Sequence, residues 1–119
     1  MNAQYVDGFL IPVPQDKIEQ YREMSAFAGK LWKEYGALDY RECVGDDLEN
    51  EGMTSFRQSA GARENEVVVF SWILYASKEE RNRINERVMN DPRLKQACVE
   101  GVFDFNRMAW GGFKTLVLV

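Results

Sequence analysis

The ten residues EVVVFSWILY, Glu66–Tyr75, decide the fold of this 119-residue chain. β-Branched and aromatic residues dominate the run, which is typical of a β-strand. Successive side chains of a strand point to opposite faces of a sheet. One alternate set here begins at Val67 and the other at Val68, and both sets are apolar. Helices on one side of a sheet cover only one face, so the run predicts a second body on the other.

Strands and helices alternate around this run in the order β-α-β-β-α-β. Apolar alternation predicts three further strands, at residues 5–13, 37–45 and 108–118. A first helix with apolar residues at helical spacing ends at Gly36, and a second begins after the cap residue Ser77. Residues 46–65 form a long polar connection with a short helical turn near residues 55–60. Residue 91 is expected to cap a further short helix that begins at Pro92.

Prolines in the first predicted strand and a glycine pair in the last affect how these strands can pair. Pro12 and Pro14 are expected to end the first strand, because proline cannot donate to a ladder. The pair Gly111-Gly112 in the last strand predicts either a bulge or a close approach of another group to the backbone.

The element order predicts an α+β fold of the ferredoxin-like split βαβ type. Its four-stranded antiparallel sheet would carry both helices on one face, and residues 1–119 would form a single domain. Two such sheets packed face to face across a two-fold axis would make a dimeric α+β barrel. The second body is therefore predicted to be another copy of the chain, in a homodimer formed through the sheet face.

Composition limits the chemistry and the partners. The net charge is −4 and the pI is about 4.9, which argues against nucleic acid and against an anionic membrane surface. The chain has no histidine, which excludes Ser-His and Cys-His nucleophile pairs and removes the commonest transition-metal ligand. No metal and no other cofactor is predicted. Two isolated cysteines and the absence of a signal-peptide pattern predict a cytoplasmic protein.

Five segments together resemble a bacterial family of unknown function. They are YVDGFLIPVP at 5–14, YRECVGDD at 40–47, VVVFSW at 67–72, VMNDPR at 88–93 and MAWGGF at 108–113. The chain is similar in these to the YbaA-like family of the dimeric α+β barrel superfamily. The resemblance implies the barrel fold, a bacterial cytoplasmic origin and homodimerisation. It implies no site residues, since the activities of superfamily relatives differ widely.

Polar and aromatic residues on the predicted strands and second helix form a candidate pocket between sheet and helices. They are Tyr5, Asp7, Arg41, Glu42, Trp72, Asn85 and Trp110. The competing interpretation is a satisfied core that contains an Arg–carboxylate pair, with both tryptophans as core or interface aromatics.

Two weaker signals each have a competing structural explanation. Cys43 shares a strand face with Arg41, which would favour a reactive thiolate, but free cysteines are usually small buried hydrophobes. The acidic stretch after residue 45 resembles a calcium loop. Counted from Asp47, its twelfth position is Gln58 rather than a glutamate, so a solvated loop is favoured.

Three functions remain open from the sequence. The first is a cytoplasmic homodimer that binds a small molecule between sheet and helices. The second is a metal- and flavin-free monooxygenase or isomerase that acts on a small aromatic or cyclic compound. The third is a structural or interaction module. An enzyme predicts a cavity with a perturbed carboxylate or tyrosine beside a donor, a binding protein predicts a cavity without that pair, and a structural protein predicts a filled interior.

Overall fold

The computed structural model describes residues 4–119. Its strands are β1 (Tyr5–Pro14), β2 (Asp39–Val44), β3 (Glu66–Tyr75) and β4 (Ala109–Lys114). Its helices are α1 (Ile18–Glu34), α2 (Phe56–Ala60), α3 (Lys78–Met89) and α4 (Pro92–Ala97). Short 3-10 turns lie at Gln15–Lys17 and Phe105–Arg107. Among residues 4–119, no helix is both long enough and apolar enough to cross a membrane.

The strands form one antiparallel sheet in the order β2-β3-β1-β4. Strand β3 has the predicted bounds and pairs along its full length with β1, from Tyr5 opposite Tyr75 to Pro14 opposite Glu66. This order, with the long helices α1 and α3 packed on one face, is the ferredoxin-like α+β fold. The predicted fold class is therefore confirmed.

The side of the sheet under α1 and α3, called the helix face below, holds the core. One cluster of buried side chains joins Trp32 of α1 and Ile84 of α3 to Ile73 on β3. A second joins Tyr21 to Ile11 and to Val102, in the segment after α4. Both clusters take the odd-numbered residues of β1 and β3, as the two-residue strand period requires.

The opposite side, called the open face, carries the even-numbered residues of β1 and β3. The short helix α2 lies against one end of it, where the Phe56 and Phe70 rings meet at 6.0 Å. Ser55 caps α2, since its side chain accepts a hydrogen bond from the Gln58 amide. The helical turn near residues 55–60 was predicted, but its place against the open face corrects the expectation that only the other face carries helix.

Strand β1 runs through both prolines that were expected to stop it. The Gln15 amide donates to the Asn65 carbonyl, so alternation turns the odd-numbered amides towards β3 and the positions of Pro12 and Pro14 towards β4. Strand β4 pairs only with residues 5–10 of β1, so no ladder bond is missing at either proline. Both prolines therefore lie where the backbone nitrogen faces no neighbouring strand, so no N–H donor is needed there.

Strand β4 is shorter than predicted, since it ends at Lys114 rather than at residue 118. Lys114 lies opposite Tyr5, the first residue of β1, and beyond it only Thr115 bonds back, to the Gln4 carbonyl. The register passes through Gly111 and Gly112 without a bulge. A close approach of other groups, the second predicted alternative, explains Gly112 as described below.

A buried ion pair fixes the segment that precedes β4. Arg107 donates to both carboxylate oxygens of Glu66 at 2.7 Å and also to the Gly61 carbonyl. The hydrogen bonds from Arg107 hold the pKa of Glu66 at about 2, below its ordinary value of 4.5. The ion pair thus joins the first residue of β3 to the turn that leads into β4.

This pair predicts an acid-sensitive part of the stability. Because the pKa of Glu66 is lowered on folding, its contribution is complete above pH 4.5 and is lost as the pH falls towards 2. The shift corresponds to about 3 kcal/mol. Urea unfolding between pH 6 and pH 2.5 should show a smaller loss of stability in Glu66→Gln than in the parent. Equal pH dependence of the two proteins would contradict the assignment.

Candidate functional site

An ion pair on the helix face connects β1 to α3. Asp7 is only 1% exposed, and its two carboxylate oxygens accept from Arg81 Nε at 3.0 and 3.2 Å. Arg81 Nη1 donates to the side chain of the neighbouring Asn82. A carboxylate this deeply buried requires a charged partner, and Arg81 supplies it.

Aromatic rings and a glycine shape the space around Arg81. Its guanidinium carbon lies 5.0 Å from the centre of the Tyr5 ring and 5.5 Å from that of Trp110, both within cation–π range. A Cβ on Gly112 would collide with Arg81 Nη2 and with the Tyr5 hydroxyl. Glycine at this place in β4 therefore lets the Arg81 guanidinium and the Tyr5 hydroxyl approach the strand backbone.

The Asn85 side chain is the hub of the same network. Its Oδ1 accepts from Trp32 Nε1 at 3.0 Å and from the Tyr75 hydroxyl at 3.1 Å, while its Nδ2 donates to Asp7 at 3.4 Å. Burial, and after it the Asp7 carboxylate, raise the pKa of the Tyr75 phenol. Among the described residues no buried side-chain nitrogen or oxygen lacks a hydrogen-bond partner, and this network therefore braces α1 and α3 against the sheet.

A second polar cluster lies between α1 and β2. The Glu42 carboxylate accepts from the hydroxyls of Tyr21 and Tyr40, each at 2.7 Å. Burial raises the pKa of Glu42, and the hydrogen bonds from the two phenols oppose that shift. Burial and the adjacent Glu42 raise the pKa of both phenols in turn. A Cβ on Gly29 of α1 would stand 2.6 Å from Tyr40 Cδ1, so glycine lets this ring pack against the helix.

A third cluster joins the end of α1 to α4. Asp91 caps α4, as predicted, by accepting from the Arg93 amide, and it also accepts from the Tyr35 hydroxyl at 2.7 Å. Arg93 bonds to Asp91 and to Glu34. Its side-chain hydrogen bonds lower the pKa of Asp91. Among residues 4–119, no group of three Cys, Asp or Glu side chains is arranged to hold a metal ion.

The open face carries an apolar groove of about 760 Å³. Its floor is backbone, because Gly8 and Gly111 lie opposite each other on β1 and β4. Phe113 leans over the floor, with its ring 3.2 Å from where a Cβ of Gly8 would stand. The walls are formed mainly by Val6, Leu10, Phe56, Phe70, Trp72 and Phe113. No residue that lines the groove within the described part of the chain has an ionisable side chain.

A row of aromatic contacts crosses this face. The Phe70 ring meets Phe56 at 6.0 Å and Trp72 at 5.9 Å, both edge to face. Arg41 on β2 lies over the Trp72 ring, 5.3 Å from its centre, and forms a loose ion pair with Asp39 at 3.9 Å. Cys43, also on β2, is exposed rather than a buried hydrophobe.

The structure divides the seven predicted pocket residues among three places. Tyr5, Asp7, Asn85 and Trp110 gather around Arg81 on the helix face. Glu42 lies on the same face but bonds to Tyr21 and Tyr40 instead. The remaining two, Arg41 and Trp72, lie together on the open face. The expectation of one pocket between sheet and helices is therefore wrong for these two, and the apolar groove lies on the opposite side of the sheet.

Arg81 is the central residue that sequence reasoning missed. A signal for it existed, because the apolar residues Ile84 and Val88 lie four apart in the second helix, and the structure buries both. Arg81 lies three residues before Ile84 and seven before Val88, on the same helical stripe. A charged residue on an inward stripe requires a buried partner. Asp7, the acidic residue of the first strand, points to the helix face and could have been identified as that partner.

The sequence is similar to known proteins over most of its length. Residues 4–105 match the family described as "Protein of unknown function (DUF1428)". The chain is 48% identical over 114 residues to the uncharacterized protein YbaA of Escherichia coli K12, covering 96% of this chain and 97% of the relative.

Two solved structures are similar in fold alone. A Rhodopseudomonas palustris protein of unknown function, RPA0582, aligns with a TM-score of 0.62 at 13% identity, over 99% of this chain and 86% of that one. A NIPSNAP family protein of unknown function from Agrobacterium tumefaciens aligns with a TM-score of 0.56 at 16% identity, over 96% and 88%. With the sequence match over most of its length, the chain belongs to the bacterial DUF1428 family, which includes YbaA, and the resemblance read from its motifs is confirmed.

Proposed function

We propose that the protein is a homodimer that binds a small apolar or aromatic molecule in a chamber between two sheets. The observation that carries this proposal is the groove of about 760 Å³ on the open face, lined by apolar side chains such as Leu10, Phe70 and Phe113. Pockets of roughly 300–1,000 Å³ with mostly apolar walls are typical of small-molecule sites.

The dimensions of the chain support the dimer. The molecule measures 40 × 38 × 20 Å, and the short dimension corresponds to one sheet and one helix layer. The open face is thus one of the two broad sides of the molecule. It exposes the neighbouring side chains of Phe56, Phe70 and Phe113, and contiguous exposed apolar surface marks an interaction site in soluble proteins. A second copy would cover it, and the glycine floor would keep the two sheets from filling the groove.

The distribution of ionisable groups favours binding over catalysis. A monooxygenase or isomerase without a cofactor needs a proton acceptor or donor in contact with its substrate. Glu42, a carboxylate whose pKa burial raises, lies on the helix face and accepts hydrogen bonds from two tyrosines. Asp7 lies on that face too and is paired with Arg81. The groove is left with apolar walls and the Trp72 indole ring.

Charge and thiol content support the remaining parts of the proposal. A net charge of −4 disfavours nucleic acid and anionic membranes as partners. Cys43 and Cys98 are both free and exposed, which suits a reducing compartment. We therefore place the dimer in the cytoplasm, with a second copy and a small molecule as its partners.

The test is a binding titration with 1-naphthol, followed by tryptophan fluorescence, since Trp72 lines the groove. Gly111→Leu adds a side chain to the groove floor and is expected to weaken binding at least tenfold. The matched control, Ala26→Leu, adds the same side chain on the exposed side of α1 and should bind like the parent. Sedimentation equilibrium on the same samples is expected to report dimers.

Two results would contradict the proposal. A monomeric parent protein would remove the chamber. A dimer that binds no 1-naphthol, or binds it equally well with leucine at position 111, would favour the structural or interaction module instead.

A further inference from the structure

Helix α2 leaves only part of the open face for a second copy. It packs against β1 and β3, the two central strands of the sheet. The open-face residues Pro12 and Val68 lie opposite each other beneath it, and both are buried. The groove lies over the remaining stretch of β1, from Val6 to Leu10. The end of the face where β1 ends and β3 begins is therefore occupied, and the other end is open.

This placement of α2 restricts how two open faces can meet. Facing sheets pack about 10 Å apart, and a helix is itself about 10 Å wide. A two-fold axis along the strands brings both α2 helices to the same end of the gap. Because each lies over the central strands, they would collide there and hold the sheets apart. An axis across the strands places them at opposite ends instead, so that groove meets groove.

The charges on β2 favour the same axis independently. Asp39 and Arg41 both point to the open face and lie level with the groove in the register. An axis across the strands sets β2 against β2, so Asp39 of each copy faces Arg41 of the other. An axis along the strands sets β2 against β4, where the same two charges would meet Gly111 and Phe113. Burying charges against apolar groups is costly, whereas the first arrangement pairs them.

The pair that these two residues form within one copy is weak enough to be replaced. Arg41 Nη2 lies 3.9 Å from Asp39 Oδ2, which is beyond hydrogen-bond distance, and the two side chains are 59% and 40% exposed. A guanidinium presents five donors in a fork that matches a carboxylate. Arg41 can therefore bond to a carboxylate of the second copy and keep its contact with the Trp72 ring.

We propose that two copies pack groove to groove about an axis across the strands, with β2 against β2 and the α2 helices at opposite ends of the chamber. This inference rests on the proposed homodimer and identifies its arrangement. Each α2 then closes the open end of the other copy's groove, beside Val6 and Phe113. Phe113, which is 62% exposed in the single chain, is covered in this way. The binding site is complete only when both copies contribute to it.

Charge variants of β2 test the arrangement by complementation. Arg41→Asp leaves only acidic groups on this part of β2, and Asp39→Arg leaves only basic ones. Each variant alone is expected to dimerise at least tenfold more weakly than the parent, because like charges then face each other. An equimolar mixture is expected to recover the parent's dimerisation, with mixed dimers detected by native mass spectrometry. Two β2 strands that each faced a β4 could not restore each other.

A matched control comes from α1. Arg22 forms an exposed ion pair with Glu19 on that helix, away from the open face. Arg22→Asp makes the same change of charge as Arg41→Asp. It is expected to dimerise like the parent, which separates the effect of local pairing from that of net charge.

Spin labels on α2 measure the arrangement by distance. In a Cys43→Ser/Cys98→Ser background, Ser59→Cys carries one nitroxide on the exposed side of α2. Each α2 lies roughly four to five residues from the proposed axis, along strands that rise ~3.3 Å per residue. Pulsed electron paramagnetic resonance is therefore expected to give about 30 Å or more between the labels of a dimer. Adjacent α2 helices would bring the labels within ~20 Å, since packed helices lie ~8–10 Å apart.

The outcomes separate this inference from the proposed function. A parent that is dimeric and binds 1-naphthol would leave the proposed function standing. Charge variants that dimerise like that parent, or that fail to recover on mixing, would then overturn the arrangement alone. Labels on adjacent α2 helices would overturn it too. A monomeric parent would refute both proposals at once, and sedimentation detects that case before any variant is made.

Discussion

A Phe70→Asp variant is expected to fold as a protomer and to lose the ability to dimerise. Phe70 lies on the open face and is 44% exposed in the single chain, so an aspartate there keeps its contact with water. In a face-to-face dimer the same carboxylate would be buried without a partner, which costs several kcal/mol. Each ~1.4 kcal/mol is a factor of ten in the dissociation constant. We therefore expect dimerisation to weaken at least about 100-fold, as measured by sedimentation equilibrium.

The neighbouring residue is the matched control. Val69 precedes Phe70 in β3 but points into the helix-face core, where it is 2% exposed. Val69→Asp is expected to unfold the protomer itself, with loss of the helical circular dichroism signal. The same charge at adjacent positions thus separates the interface from the core. If Phe70→Asp remained as dimeric and as stable as the parent, the open face would not be the interface.

The sequence predicted the architecture well because its strongest signals are local. The run Glu66–Tyr75 is long, β-branched and bounded by polar residues, so both of its ends were correctly placed. Ser77 and Asp91 cap the helices that follow them, as their spacing indicated. The prediction that the prolines end β1 was wrong because their effect depends on whether a neighbouring strand needs the backbone N–H that proline lacks. That depends on how far β4 extends along β1, which the sequence of β1 does not indicate.

The candidate pocket was predicted less well because it depends on which face of the sheet each side chain points to, rather than on residue type. Arg41 and Glu42 are neighbours on one strand and must point to opposite faces, so a pocket that contained both could not be correct. The periodicity of the second helix does place the missing residue, Arg81, on the same side as the buried residues of that helix. The position of α2 against the open face follows from the path of a polar loop, for which the sequence offers no periodic signal.

The two faces of the sheet have different chemistry. The helix face holds the carboxylates, the phenols and the arginine in networks that use their hydrogen-bonding groups internally. The open face holds aromatic rings over a glycine floor. Polar networks specify one arrangement of helices on a sheet, whereas an apolar groove accepts a ligand by shape. Mutations on the two faces should therefore affect different measurements: stability on the helix face, and dimerisation and binding on the open face.

Removal of the Asp7 carboxylate is expected to cause the largest loss of stability on the helix face. Asp7→Ala would leave the Arg81 guanidinium between two rings without its counter-charge, and Asn85 Nδ2 without its acceptor. Loss of one partner of a buried pair typically costs about 3 to 5 kcal/mol. The free energy of unfolding of a whole domain is roughly 5 to 15 kcal/mol. Urea unfolding at pH 7 should therefore show a severe loss of stability.

Two comparisons show whether the cost arises from the unpaired charge. Glu19→Ala removes an exposed carboxylate from a surface pair with Arg22 and is expected to have no measurable effect. The double variant Asp7→Leu/Arg81→Met removes both charges and should be more stable than Asp7→Ala, since an apolar pair can replace a buried ion pair. If the double variant were instead the less stable of the two, the aromatic contacts of Arg81 with Tyr5 and Trp110 would outweigh its pairing with Asp7.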